Sequence, residues 1–177
     1  MVELAREIWL LRHGATEFSE QGRYCGQSDP PLSPRGREDL LPRRTDISGI
    51  RYQHLWSSDL QRCVETARIV AGEPNVDERL REFGFGRLEG LRFDELDQDT
   101  QEGLIAFDGF SAPGGETVSD FRSRIDAFFD DLPAGRHLIV THGGVIRLLL
   151  RERGHEVRVP PGGLIHLSEW PDSNTTS

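Results

Sequence analysis

The stretch that most constrains this chain is Ile8-Trp9-Leu10-Leu11, followed at once by Arg12-His13-Gly14. Four apolar residues in a row, without the alternation of a half-exposed strand, predict a strand buried on both faces. In parallel α/β sheets, ligands bind just outside the carboxyl ends of such strands. The strand therefore delivers a guanidinium and an imidazole to that place, and Gly14 lets the backbone turn or approach a ligand closely. A lone Arg-His-Gly is more often a strand that merely stops at a polar pair. Here it has a counterpart: His137-Leu138-Ile139-Val140-Thr141-His142-Gly143-Gly144 is again a short apolar strand ending in His-Gly, ahead of a helical pattern. Two such ends in one sheet predict His13 and His142 side by side.

The 177 residues are enough for one domain with its own core, needing no disulfide or metal staple. We expect that domain over 1–170 and a disordered polar tail over 171–177. The net charge of −9 argues against nucleic acid or an anionic membrane as partner. It does not argue against an anionic small molecule, because charges beyond about 8 Å are largely screened at physiological salt. Cys25 and Cys63 show neither metal spacing nor a disulfide framework. The only early apolar run, Ile8 to Leu11, is too short for a secretory signal and no segment is long enough to span a bilayer, so a cytoplasmic location is expected. Asn174-Thr175-Thr176 reads as a coincidental glycosylation match. Monomer and homodimer both remain open.

Along the chain, Phe18 to Pro34 has the composition of a loop, and a loop this long usually serves a site. Ser33-Pro34 opens a helix that Pro42 cuts short. Tyr52 to Ser57 predicts a strand, and Asp59 the N-cap of a helix over Leu60 to Ala71 with a stripe of Leu60, Val64, Ala67 and Ala71. Arg62 falls in the first turn of that helix, where the dipole disfavours a cation. Something else must hold it. Cys63 reads as packing. Glycines 84, 86 and 90 oppose a regular helix around Glu82, whose carboxylate the neighbouring phenylalanines would partly desolvate. Phe93 to Phe110 predicts short helices acting as a mobile lid. Thr117 opens a helix to Leu132 with Phe121, Ile125, Phe128 and Leu132 on its core face. Val145 to Leu150 is a buried helical run whose first N–H groups can face an anion, and Val157 to Trp170 predicts one or two closing strands. His54, His137, His155 and His166 read as surface residues, and no ligand pair has zinc spacing.

Four segments together carry a resemblance. They are Arg12-His13-Gly14, Ser57-Ser58-Asp59-Leu60-Gln61-Arg62, Glu82-Phe83-Gly84 with Glu89-Gly90, and Thr141-His142-Gly143-Gly144. Over Glu7 to Arg151 the chain resembles the histidine phosphatase, or phosphoglycerate mutase-like, superfamily. The resemblance implies a three-layer α/β/α fold with a mostly parallel central sheet. It implies His13 as nucleophile, Arg12, Arg62 and His142 around the phosphate, and Glu82 as proton donor, with no metal and no cofactor. Thr16, Ser19, Cys25, Gly26 and Gly143 would contact substrate; Ser19 stands where many members carry asparagine, and reaches less far.

Such a site suits a phosphorylated small molecule. Three activities share it: a phosphomonoesterase, a cofactor-dependent phosphoglycerate mutase, and a non-catalytic phospholigand-binding domain. Mutases of the family carry extra chain and basic residues between the acid and the second histidine. Here about sixty residues separate Glu82 from His142 and lysine is absent throughout, which favours the phosphatase. A binder would have no use for Glu82. Tyr24-Cys25-Gly26, Pro113-Gly114-Gly115-Glu116-Thr117 and Val140 to Arg147 look most like the alpha-ribazole phosphatase branch. A nucleoside-like substrate would need an apolar wall, expected from Tyr24, Phe83, Phe107 and Phe110.

Overall fold

The structure is a computed structural model that describes residues 6–167; the expected tail over 171–177 lies outside them. Its centre is a five-stranded sheet in the order β3-β2-β4-β1-β5. The strands are β1 (Glu7–Arg12), β2 (His54–Ser57), β3 (Asn75–Val76), β4 (Arg136–Thr141) and β5 (Leu164–Leu167). All neighbours run parallel except β5, which closes the β1 edge antiparallel. Ile8, Leu10, Leu11, Leu138, Ile139 and Val140 are fully buried, as strands covered on both faces require.

Helices form the outer layers, giving the expected three-layer α/β/α architecture. Helices α6 (Val118–Asp130) and α7 (Gly143–Arg151) pack with Ile8, Leu10 and Ile139 on one face. Helices α2 (Pro34–Leu40), α3 (Arg43–Ser48) and α4 (Gln61–Val70) pack with Leu11, Leu138 and Val140 on the other. Capping explains the local starts: Ser33 Oγ accepts from Gly36 N–H at 2.9 Å, and Thr117 Oγ1 from Asp120 N–H at 3.0 Å.

Several expectations need correction. The 18–34 loop contains a helical turn, α1 (Glu17–Glu20), closed by a reciprocal capping box between Thr16 and Ser19. The helix opened by Ser33-Pro34 does end early, at Leu40, and a separate helix, α3, begins after Pro42, which sits at its N-cap. Asp59 does not cap α4; its carboxylate forms a two-pronged ion pair with Arg81, at 2.5 and 2.8 Å, a stronger bond than a neutral N–H offers. His137 is buried in the central strand, with Trp56 Nε1 donating to its Nδ1 at 3.2 Å and its Nε2–H donating to Pro133 O at 2.9 Å. The 93–110 segment touches the site through Phe93, and most of it is packed down beside it. Leu96 and Leu104, the latter on α5 (Gln98–Ala106), are buried against Leu88, and Arg151 donates to the carbonyls of Ile105 and Ala106.

Candidate active site

Register places the two histidines together. In the parallel pair β1·β4, Arg12 faces Thr141, so the next residue on each strand, His13 and His142, leaves the sheet at the same point. Their ring centroids lie 5.1 Å apart, edge to face. His13 Nδ1 is 2.7 Å from the carbonyl oxygen of Gly14. A carbonyl only accepts, so that nitrogen carries the proton and Nε2 keeps its lone pair. The turn that sets this geometry is itself tied down: Gly14 N–H donates to Thr66 Oγ1 on α4 at 3.0 Å.

His13 opens onto a cavity of about 370 Å³, within the usual range for small-molecule sites. Arg12 and Arg62 also line it. Arg62 is fully buried, and its terminal nitrogens donate to the carbonyls of Gly26 and Ser28, both at 2.7 Å. Those carbonyls hold the first-turn cation against the helix dipole. Arg12 donates to Val159 O at 2.6 Å. The Nε atom of each guanidinium is buried with no hydrogen-bond partner among the described residues. Leaving such a donor unpaired costs about 1–3 kcal/mol, more when it is charged.

Glu82 sits on the same wall. Its carboxylate accepts from its neighbour's N–H, Phe83, and from Gly144 N–H in the first turn of α7, both at 3.0 Å. Part of the anion-ready helix start is therefore occupied by the protein's own carboxylate. Two glycines make this possible. A Cβ at Gly144 would lie 2.1 Å from Glu82 Oε1, and one at Gly143 would lie 3.0 Å from Arg12 Cζ.

Burial first, then the charges of Arg62 and Arg12, hold the pKa of His13 well below its ordinary value; burial first, then Arg62 and His13, does the same for His142. Both rings are neutral at pH 7, as a nucleophile must be. The unfolded chain takes up both protons below about pH 6.5, whereas the folded chain does not. Stability is therefore fully present above pH 6.5 and falls on acidification, by about 1.4 kcal/mol per pH unit for each histidine. Urea unfolding at pH 7.5 and 5.5 checks this; a midpoint that stays put would mean the folded rings accept protons.

The sequence profile of the histidine phosphatase superfamily (branch 1) matches residues 8–158. The chain belongs to this superfamily. Among its relatives, the Salmonella choleraesuis protein named "Probable phosphoglycerate mutase GpmB" is 33% identical over 156 residues, 77% of this chain and 69% of that one. A crystal structure of phosphoglycerate mutase from Thermus thermophilus is 38% identical, with a TM-score of 0.86 covering 94% of each chain. A structure from Escherichia coli K-12, provisionally called an alpha-ribazole-5'-P phosphatase, is 25% identical, with a TM-score of 0.76 over 98% of this chain and 100% of that one.

Within this histidine phosphatase superfamily site, the other expected residues divide. Thr16, Ser19, Cys25, Gly26 and Gly143 line the cavity. The Thr16 and Ser19 side chains are engaged with each other's backbone N–H, and Ser19 Oγ donates to Thr16 O at 2.9 Å. Burial pushes the Cys25 thiol up to about 11, so it stays protonated. His142 is fully buried and does not reach the cavity wall; its Nε2 is 2.9 Å from Ser58 Oγ and 3.4 Å from Cys63 Sγ. The aromatic wall is Tyr24, Phe85 and Phe93. Phe83 is fully buried and packs on Phe121, and the partly buried Phe107 and Phe110 pack against Phe83. Among the described residues, no three histidine, cysteine or carboxylate side chains are grouped to hold a metal ion.

Two supports were missed. Glu89 accepts from the N–H groups of Gln27 and Ser28 at 2.9 Å and from Ser28 Oγ, pinning the loop whose carbonyls hold Arg62. Arg124 on α6 donates to the carbonyls of Arg79, Arg81 and Glu82 at 2.7–2.8 Å, and pairs with Glu116, which accepts from Gly84 N–H at 3.0 Å. The pair thus grips both sides of Glu82-Phe83-Gly84. Replacing Arg124 with Met strands a largely buried carboxylate and three carbonyls. We expect a loss of about 3–5 kcal/mol in chemical denaturation, the range for breaking a buried ion pair; a loss under about 1 kcal/mol would show the clamp to be ornamental.

Proposed function

We propose that the protein is a phosphomonoesterase that works through a phosphohistidine and needs no metal ion. The observation that carries this is His13: its Nδ1 is committed to Gly14 O, which leaves Nε2 with its lone pair, and the residue lines the cavity together with Arg12 and Arg62. Phosphoryl transfer asks mainly for positioning and charge stabilisation. The two guanidiniums that line the cavity supply the charge and the N–H donors for phosphate oxygens. Nε2 attacks phosphorus as the bond to the leaving oxygen breaks, and Glu82, protonated for this step, gives that oxygen its proton. Glu82 then takes a proton from water as the water oxygen attacks the phosphohistidine. Phosphate leaves and His13 returns neutral.

A mutase uses the same residues, and relatives bear that name. The short span between Glu82 and His142 favours hydrolysis. The substrate that the sequence pattern suggests is alpha-ribazole 5'-phosphate, and Tyr24, Phe85 and Phe93 offer a face for its base. The deciding experiment is a phosphomonoester panel run with and without chelator, including alpha-ribazole 5'-phosphate and 3-phosphoglycerate with 2,3-bisphosphoglycerate. Phosphate release unaffected by chelator is the expected result. Isomerisation of 3-phosphoglycerate faster than release would establish the mutase; activity that chelator abolishes and a divalent ion restores would overturn the mechanism.

A further inference from the structure

The backbone at His13 and Gly14 is buried, and each of its polar groups has a partner. His13 N–H donates to Thr141 O at 3.0 Å, and His13 O accepts from Gly162 N–H at 3.1 Å. Gly14 O accepts from Nδ1 of the His13 ring, and Gly14 N–H donates to Thr66 Oγ1 at 3.0 Å. Two of these partners are backbone and one is His13 itself. Among the described residues, Thr66 alone reaches this turn with a side chain from elsewhere in the chain. Its bond is the one that a substitution can remove.

Thr66 is also an unexpected residue for its place. Helix α4 buries Cys63, Ala67 and Val70 against the sheet, and Thr66 is fully buried on the same helix. A hydroxyl in such a place is unfavourable unless it is bonded. Its Oγ1–H donates to Arg62 O, four residues back, at 2.7 Å, a bond threonine often makes within a helix. The oxygen keeps a lone pair for Gly14 N–H. Helix α2 closes on the same glycine: a Cβ there would lie 2.7 Å from Leu40 Cδ1 and 3.0 Å from Gly36 O. Arg62 and Thr66, four residues apart, share one face of α4. One helix therefore carries a guanidinium of the phosphate cradle and the hydroxyl that holds the turn of the nucleophile.

We propose that Thr66 is a positioning residue, whose hydroxyl fixes Gly14 and thereby aims His13 at the phosphate that Arg62 binds. This rests on the phosphomonoesterase reading. Without the hydroxyl, Gly14 N–H is buried and unpaired, and the turn shifts toward another acceptor, taking Gly14 O and the imidazole with it. The grip on phosphate does not depend on that bond. Arg62 is held by the carbonyls of Gly26 and Ser28, and Arg12 by Val159 O.

Thr66→Ser and Thr66→Ala both remove the methyl group, and only serine keeps the hydroxyl. Thr66→Val keeps the shape and loses the hydroxyl. The probe is para-nitrophenyl phosphate, whose leaving group departs without a proton, so that the attack by His13 is read alone. In a single turnover at saturating enzyme, the rate constant for phosphoenzyme formation should fall about ten- to a hundredfold in the alanine and valine proteins, the effect of a misplacement of about an ångström. The serine protein should stay near the parent. Inorganic phosphate should bind all four proteins equally by calorimetry. Nitrogen NMR of the His13 ring should show the Nδ1–H tautomer alone in the parent and serine proteins, and a mixture in the other two. A serine protein as slow as the alanine one, alanine and valine proteins as fast as the parent, or a loss confined to phosphate affinity would overturn the proposal. So would alanine and valine proteins that do not fold, because the hydroxyl would then support the whole fold. Failure of the phosphomonoesterase reading looks different: the tautomer responds as expected, yet the unmodified protein releases phosphate from no phosphomonoester.

Discussion

His13→Ala abolishes the phosphoenzyme and reduces turnover to background. Brief mixing of the unmodified protein with a labelled phosphomonoester, followed by quenching at alkaline pH, should trap one acid-labile phosphate per chain, mapping to the peptide that contains His13. The reason is geometric. His13 leaves β1 at its carboxyl end, and Gly14 O fixes its tautomer at 2.7 Å. No nearby group can substitute. His142 is buried behind it, and Cys25, its thiol pushed up to about 11, is almost wholly protonated at neutral pH. A loss of activity by an order of magnitude or less, or label that survives in His13→Ala, would move the nucleophile elsewhere.

Glu82→Gln should lower kcat by about two to four orders of magnitude on alkyl phosphates, the contribution expected of general acid catalysis. The loss should shrink on aryl phosphates, whose leaving groups depart without a proton. Glutamine preserves the side-chain length, but its single amide oxygen keeps only one of the two bonds that Oε1 and Oε2 accept from Phe83 and Gly144 N–H. The leaving-group dependence is the informative part. An equal loss on both substrate classes would leave Glu82 a positioning residue for α7 and Arg12. Arg124→Met offers a comparison: it disturbs the segment beneath Glu82 and should cost stability first, with no such leaving-group signature.

Local sequence determined much of this site. A run of buried apolar residues that stops at a cation and a histidine is a strand end, and two of them in one parallel sheet have few ways to be arranged. The Gly143-Gly144 helix start is likewise marked by its immediate neighbours, whereas Glu82 and the role of Arg62 stand out only through the family resemblance of the motifs around them. Ser33 and Thr117 caps are legible because the donor lies three residues away.

Tertiary structure decided the contacts between residues distant along the chain. Nothing near Asp59 announces Arg81, 22 residues on, yet that ion pair removes Asp59 from the cap. Nothing near Arg124 announces the carbonyls of Arg79, Arg81 and Glu82. His137 looks like a polar strand edge until β2 brings Trp56 against it. The phenylalanines divide in the same way. Phe83 and Phe107 are inside because α6 places Phe121 beside them, while Phe85 and Phe93 face the cavity. Periodicity reports which residues are apolar, but an aromatic ring gains as much from burial in the core as from lining a pocket. Arg147 and Arg158 are the reverse case: as sequence they are two more arginines among 21 basic residues, and only the fold sets both at the cavity.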